Sequence, residues 1–181
     1  MNFRNALSAA AAVSLGIATA ASANPMVGGA PMYSTRNIVQ NAVNSKDHTT
    51  LVAAVKAGGL VDTLSGKGPF TVFAPTNEAF AKLPDGTVAS LVKPENKEML
   101  DKILSYHVVP GRITAQQIAA MAARNRGTAT LKTVEGENLK FTKSGNGWVV
   151  VDAKGDRARI TIPNVMQSNG VIHVVDAVLM P

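Results

Sequence analysis

The 181-residue chain contains no cysteine, so neither disulfides nor cysteine-metal sites can hold it together. Its core must suffice, which is feasible for a domain of about 150 residues. Aromatic residues make up only 4% of the chain, with a single tryptophan. Basic residues outnumber acidic ones, yet they form no dense run. Arg124 and Arg126 are close, as are Lys154, Arg157 and Arg159, but aromatics do not interleave either group. This excludes the usual footprint of a nucleic-acid binder. Catalytic patterns are missing as well. There is no G-x-S-x-G, no H-E-x-x-H, no phosphate-binding Walker loop and no dinucleotide glycine pattern. The carboxylates are scattered, so no acid–base pair can be read from their order. The expectation is a protein that is not an enzyme and carries no cofactor.

Long apolar runs are lacking too, with one exception near the start. Arg4 precedes an apolar stretch from Ala6 to Ala20, and Ala21-Ser22-Ala23 forms a small-residue cleavage site. The stretch is Ala-rich and shorter than the ~20 strongly apolar residues of a spanning helix. Residues 1–23 therefore read as a secretory signal peptide, cut before Asn24. The mature form is expected to be exported, periplasmic or extracellular, with no membrane span. An oxidising destination overrides the reducing compartment that the absence of cysteine would suggest. The formal net charge is +6, or +5 without Arg4. Such a charge suits an anionic polysaccharide, lipid or acidic protein, or serves solubility.

What is present is organised around Gly68 to Phe80, GPFTVFAPTNEAF. Phe70 to Ala74 reads as a central strand with apolar residues on both faces. Phe70, Val72 and Ala74 share one face and Phe73 takes the other. Pro75 ends the strand, and Thr76 caps a helix with Glu78 in its first turn. Before the strand, residues 24–33 contain two prolines and two glycines and read as a flexible leader. Helical segments follow. Ser34 or Thr35 caps the first, with Ile38, Val39, Ala42 and Val43 on one face. Leu51, Val52 and Val55 mark the next. After the strand, Met99, Leu100, Ile103 and Leu104 form a helical stripe. Thr114 to Gln117 fits a capping box. From Thr128 onward short strand candidates alternate with turns, and Asn169-Gly170 reads as a turn with positive φ. Helices first and strands later give an α+β fold.

Three stretches carry a resemblance to a known family. They are GPFTVFAPTNEAF, YHVVPG from Tyr106 to Gly111, and SNGVIHVVDAVLMP from Ser168 to Pro181. Their order and spacing resemble the fasciclin domain, an extracellular adhesion module, over residues 34–181. The resemblance implies a compact wedge of two small β-sheets flanked by helices. It implies a secreted, non-catalytic binding module acting on a cell-surface or matrix protein or polysaccharide. It also marks a candidate interaction segment. Tyr106 and His107 match the tyrosine–histidine associated with adhesion in animal members. Asn164, Val165 and Met166 occupy the place of a second adhesion motif. Asn164 stands where those members carry an aspartate, and an amide is a poor ligand for a receptor-bound cation.

The histidines allow more than one reading. His48 lies in a polar turn and reads as surface. His107 and His173 lie in apolar strands and read as core histidines with hydrogen-bonded rings; a metal pair is the alternative, without an evident third ligand. A carrier of an apolar small molecule, such as the carotenoids bound by some similar proteins, is the alternative function. Met99, Met121, Met166 and Met180 could then line an adaptable groove.

Overall fold

The computed structural model describes residues 24–181, and the signal-peptide reading falls on residues outside them. The chain begins with a small hairpin of β1 (Met26–Val27) and β2 (Ala30–Pro31). Helices α1 (Ile38–Ala42), α2 (Thr49–Gly58) and α3 (Val61–Ser65) lead to β3 (Phe70–Pro75). Helices α4 (Asn77–Ala81), α5 (Thr87–Leu91) and α6 (Lys97–Tyr106) come next, followed by β4 (Val108–Pro110) and α7 (Ala115–Arg124). The chain closes with β5 (Thr128–Lys132), β6 (Asn138–Ser144), β7 (Gly147–Val151), β8 (Arg157–Gln167) and β9 (Gly170–Val175).

Seven strands are hydrogen-bonded in the order β4-β3-β9-β8-β7-β6-β5. All neighbours are antiparallel except β3 and β9, which run parallel from Phe70–Gly170 to Pro75–Val175. The long strand β8 belongs to two halves. Its start pairs with β7, and the rest pairs with β9 through register shifts between Ile160, Ile162 and Val165. Such irregularities bend a strand, and here they fold the sheet into two parts. The free edges approach each other, since Val134 N–H donates to the Val108 carbonyl at 2.8 Å. The result is the α+β wedge that the sequence suggests.

β3 separates two cores. Val72 and Ala74 pack with the helical residues Leu51, Val55, Leu100 and Leu104. Phe73 packs on the other side with Phe141, Tyr106, Ile118 and Leu139. The alternation read from the sequence is thus the one the strand uses. Thr76 Oγ1 accepts from Ala79 N–H at 3.2 Å and starts α4, which turns Phe80 into the helical core. Thr114 and Gln117 form the full capping box of α7.

Several expectations are corrected. Residues 24–33 are not a flexible leader. Val27 and Met32 are 4% and 2% exposed and join the helical core. Two apolar side chains among the prolines and glycines offset the cost of ordering the backbone. Gly28 permits the approach, because a Cβ there would collide with Ser45 Oγ. The cap of α1 is Asn37, not Ser34 or Thr35, and Val43 and Met99 are exposed. Asn169 and Gly170 do not adopt positive φ. Asn169 instead works through its side chain. It accepts from Ile38 N–H and donates to the carbonyls of Leu64 and Gly66. Gly170 is required for space, since a Cβ would strike the Phe70 carbonyl.

Candidate functional site

The tyrosine–histidine pair sits at the end of α6, where an amphipathic helix runs into β4. Tyr106 is fully buried in the sheet-side core. Its hydroxyl accepts from Ala153 N–H at 2.9 Å and donates to the Asn138 carbonyl at 3.4 Å. Burial pushes its pKa up to about 12. His107 turns the other way and borders the helical core. Its Nδ1 lies 2.8 Å from the Ile103 carbonyl, and its Nε2 accepts from Leu179 N–H at 2.9 Å. Those partners fix a neutral ring with the proton on Nδ1. Desolvation lowers its pKa to about 4, against the opposing effect of the Ile103 carbonyl.

The second segment lies on β8. Asn164 has φ of 59°, a left-handed conformation that asparagine tolerates. Its Oδ1 accepts from Ala115 N–H at 2.8 Å, at the start of α7, and its Nδ2 donates to Gln116 Oε1 at 3.1 Å. Its backbone N–H donates to His173 Nδ1 at 3.3 Å. Asn164 therefore ties β8 to α7. Val165 has no exposure and Met166 is half-buried. Of the five residues, His107 and Val165 border one shared cavity, and Tyr106, Asn164 and Met166 do not.

His173 completes its bonding through Nε2, 2.8 Å from the Ile113 carbonyl, and stacks on Phe73 with ring centroids 5.5 Å apart. β3 lies between β4 and β9, so His107 and His173 are not on neighbouring strands. Among the described residues no group of three or more His, Asp or Glu is placed to hold a metal ion. His48 corrects its expectation: it is 3% exposed. Its Nδ1 meets Ser45 Oγ at 2.9 Å, while its Nε2 has no hydrogen-bond partner. Burial lowers its pKa, with the Ala74 carbonyl and Asp47 acting against that. A charged turn, Lys46-Asp47-His48, concealed an inward ring. Its neighbours Lys46 and Asp47 are exposed.

The shared cavity lies between β3 and the first helices, under the β1–β2 hairpin. It measures about 50 Å³ and is almost wholly apolar. Val27 and Met32 cover it, Leu51, Val72 and Ile172 form its walls, and His48 and His107 border it. The four methionines suggested by the sequence are not among its lining residues; Met32 is. Met121 and Met180 pack against the two cores instead.

Sequence reasoning also missed Asp152. Its side chain is buried, with Oδ1 accepting from Lys154 and Asp156 N–H and Oδ2 accepting from Met180 N–H. An aspartate two residues before Lys154-Gly155 carried a turn signal; its reach to the C-terminal segment had none.

A seven-stranded folded sheet with helices packed against both of its cores, and with inward-facing histidines, defines an α+β domain. The match to the Fasciclin domain model spans residues 46–181. The chain is 50% identical over 148 residues to protein sll1483 of Synechocystis, covering 82% of this chain and 75% of that one. It is 32% identical over 165 residues to the cell surface glycolipoprotein MPB83 of Mycobacterium bovis, covering 91% of this chain and 60% of that one. A FAS1 domain pair from the insect cell adhesion molecule Fasciclin I has the same fold, with a TM-score of 0.71 at 18% identity. The likeness covers 81% of this chain and 51% of that one. The chain belongs to the fasciclin domain family.

Proposed function

We propose that this protein is an exported, non-catalytic binding module that acts through its outer surface on a cell-surface or extracellular-matrix partner. The observation that carries the reading is the inward commitment of the chemically able side chains. Tyr106, His107 and His173 spend their polar atoms on the protein's own backbone. Recognition then falls to exposed polar residues, as fits relatives named for a cell surface and for cell adhesion. Affinity per domain in such modules can be weak and is raised by multivalent display. The test is retention of cells or envelope material on immobilised protein. Retention that weakens at high salt is expected if the positive charge contributes. Retention no greater than on an inert protein would overturn the reading.

The apolar cavity favours a second reading, carriage of an apolar small molecule. Its size limits that reading. Sites that bury a drug-sized ligand run to ~300–1,000 Å³, against about 50 Å³ here. A carotenoid would require the β1–β2 hairpin to lift. A carrier would show a ligand-dependent rise in melting temperature, about 2.7 kcal/mol of stabilisation at a hundredfold excess over Kd. No shift with added carotenoid is the expected result.

A further inference from the structure

The strands β5 to β8 hold five cationic side chains and not one carboxylate. Strand pairing sorts them. Thr130, Lys140, Val151 and Arg157 lie in one cross-strand row, and Thr128, Thr142, Val149 and Arg159 in the next. Lys132 pairs with Asn138 beside them. The alternate residues Ala129, Leu131, Leu139, Phe141, Val150 and Ala158 fill the sheet-side core. These rows therefore form the outward face. Lys132, Lys140, Arg157 and Arg159 are exposed on it. Among the described residues none of the four pairs with a carboxylate. Asp156 and Asp176 stand only at its rim, Asp156 exposed beside Arg157 and Asp176 accepting from Arg159 N–H.

We propose that the outward face of β5–β8 docks an anionic polysaccharide, a linear polymer whose sugars carry carboxylate or sulfate groups. The inference rests on the reading of the protein as an extracellular binding module and names its partner class. Charge complementarity is the first argument. The cations repeat at ~7 Å along β8 and at ~10 Å from β6 to β8, which is two residues and two strands in sheet geometry. A polymer with regularly spaced charges can meet several at once. The residues between the cations are the second argument. Thr130, exposed, and Thr128, half-buried, can exchange hydrogen bonds with sugar hydroxyls. The face lacks what other polyanions need. Val149 is buried and Val151 half-buried, so no apolar side chain stands out to enter a bilayer. Trp148 pairs with Lys143 and packs toward the core, so no aromatic platform is offered to bases.

The test uses alginate, dextran sulfate, neutral dextran and phosphatidylglycerol vesicles against the protein spanning Asn24 to Pro181. Alginate or dextran sulfate should bind, neutral dextran should not, and binding should weaken as salt rises. The variant Lys140→Glu/Arg157→Glu/Arg159→Glu should lose roughly tenfold or more in affinity. The variant Lys67→Glu/Lys93→Glu/Lys97→Glu carries the same net charge and should bind much like the wild type. If the first variant melts early, Lys140→Gln/Arg157→Gln/Arg159→Gln tests the same face with a milder change. Equal loss in both glutamate variants, or tighter binding to the vesicles than to either polymer, would overturn the proposal. Cell retention separates it from the function it rests on. Cells held equally by wild type and the first variant would leave adhesion standing and sink this face. Alginate binding without cell retention would keep the face and remove adhesion.

Discussion

β3 gives its two faces to two cores that are built differently. The sheet-side core holds Phe73, Tyr106, Phe141, Ile118, Leu139 and Leu179, each below 2% exposed. Phe73 and Phe141 meet with ring centroids 5.2 Å apart and planes tilted by 42°. The helical core is mostly aliphatic. Among the described residues its one buried aromatic, Phe80, is 8% exposed, and the cavity under the hairpin lies in this core. The few aromatics of this chain are thus concentrated where a sheet folds on itself. Rings fill such a space in two dimensions, and aromatic contacts add to their area. On the helical side short helices of five residues carry few inward positions each. Gaps between them are closed by the hairpin residues Val27 and Met32. The sheet core should set global stability, and the helical core should be the one able to give.

The largest test of that contrast is Phe73→Ala. Phe73 has no exposure and touches both Phe141 and His173. Its loss should cost about 3–5 kcal/mol in denaturant melts. This is a large part of the ~5–15 kcal/mol that holds a domain together. A change below ~0.5 kcal/mol would place Phe73 outside any tight core.

That the sheet core could be anticipated follows from period two. Phe73 against Val72 and Ala74 needed only alternation, and Thr76 and Thr114 needed only capping chemistry. The hairpin could not be read this way. Val27, Ala30 and Met32 have no helical or strand period, and their burial depends on the distant Leu51 and Val72. The histidines divide for the same reason. His107 and His173 stand in apolar runs, and their inward rings were legible. His48 follows two charged residues and precedes two threonines, and only the fold turns it toward Ala74 and Ser45. The candidate interaction segment shows the limit most sharply. A motif marks positions, but Asn164 acquires its task from Ala115 and Gln116, some fifty residues earlier in the chain. The cationic face was hidden too, because Lys140 and Arg157 are neighbours only through the register of β6, β7 and β8.

Acid probes both cores at once. His48 and His107 border the helical core and His173 lies in the sheet core. Desolvation lowers all three pKa values. For each the folded value lies below the unfolded one, so the unfolded chain takes up protons first. Stability is therefore full above about pH 6.5 and falls as pH drops, until His107 itself protonates near about pH 4. His107 alone accounts for roughly 3 kcal/mol across that window. Denaturant melts at stepped pH measure the slope, and an imidazole titration by NMR assigns it. A His107 that titrates near 6.5 in the folded protein would show that its ring is not held neutral between Ile103 and Leu179.

The smallest effect is the sharpest comparison, because the same methylene is added on either side of the sheet. Val72 and Val150 are both strand valines and both buried, at 5% and 0% exposure. Val72 borders the cavity, and Val150 stands in the closed sheet core beside Phe141 and Ala158. Isoleucine keeps the β-branch and the strand preference, so backbone effects cancel between the two sites. What differs is the space each new methyl meets. In a filled core an extra methylene forces rotamers and backbone to shift, and Val150→Ile should cost about 1–3 kcal/mol. At Val72 the methyl enters empty apolar volume and gains dispersion contacts that the cavity wall lacks. Val72→Ile should therefore range from neutral to about 1 kcal/mol more stable. Thermal and denaturant melts of the two variants read the difference directly. Equal destabilisation at both sites would mean that the helical core is as tightly filled as the sheet core. The cavity would then have no energetic content, and the case for carriage would go with it.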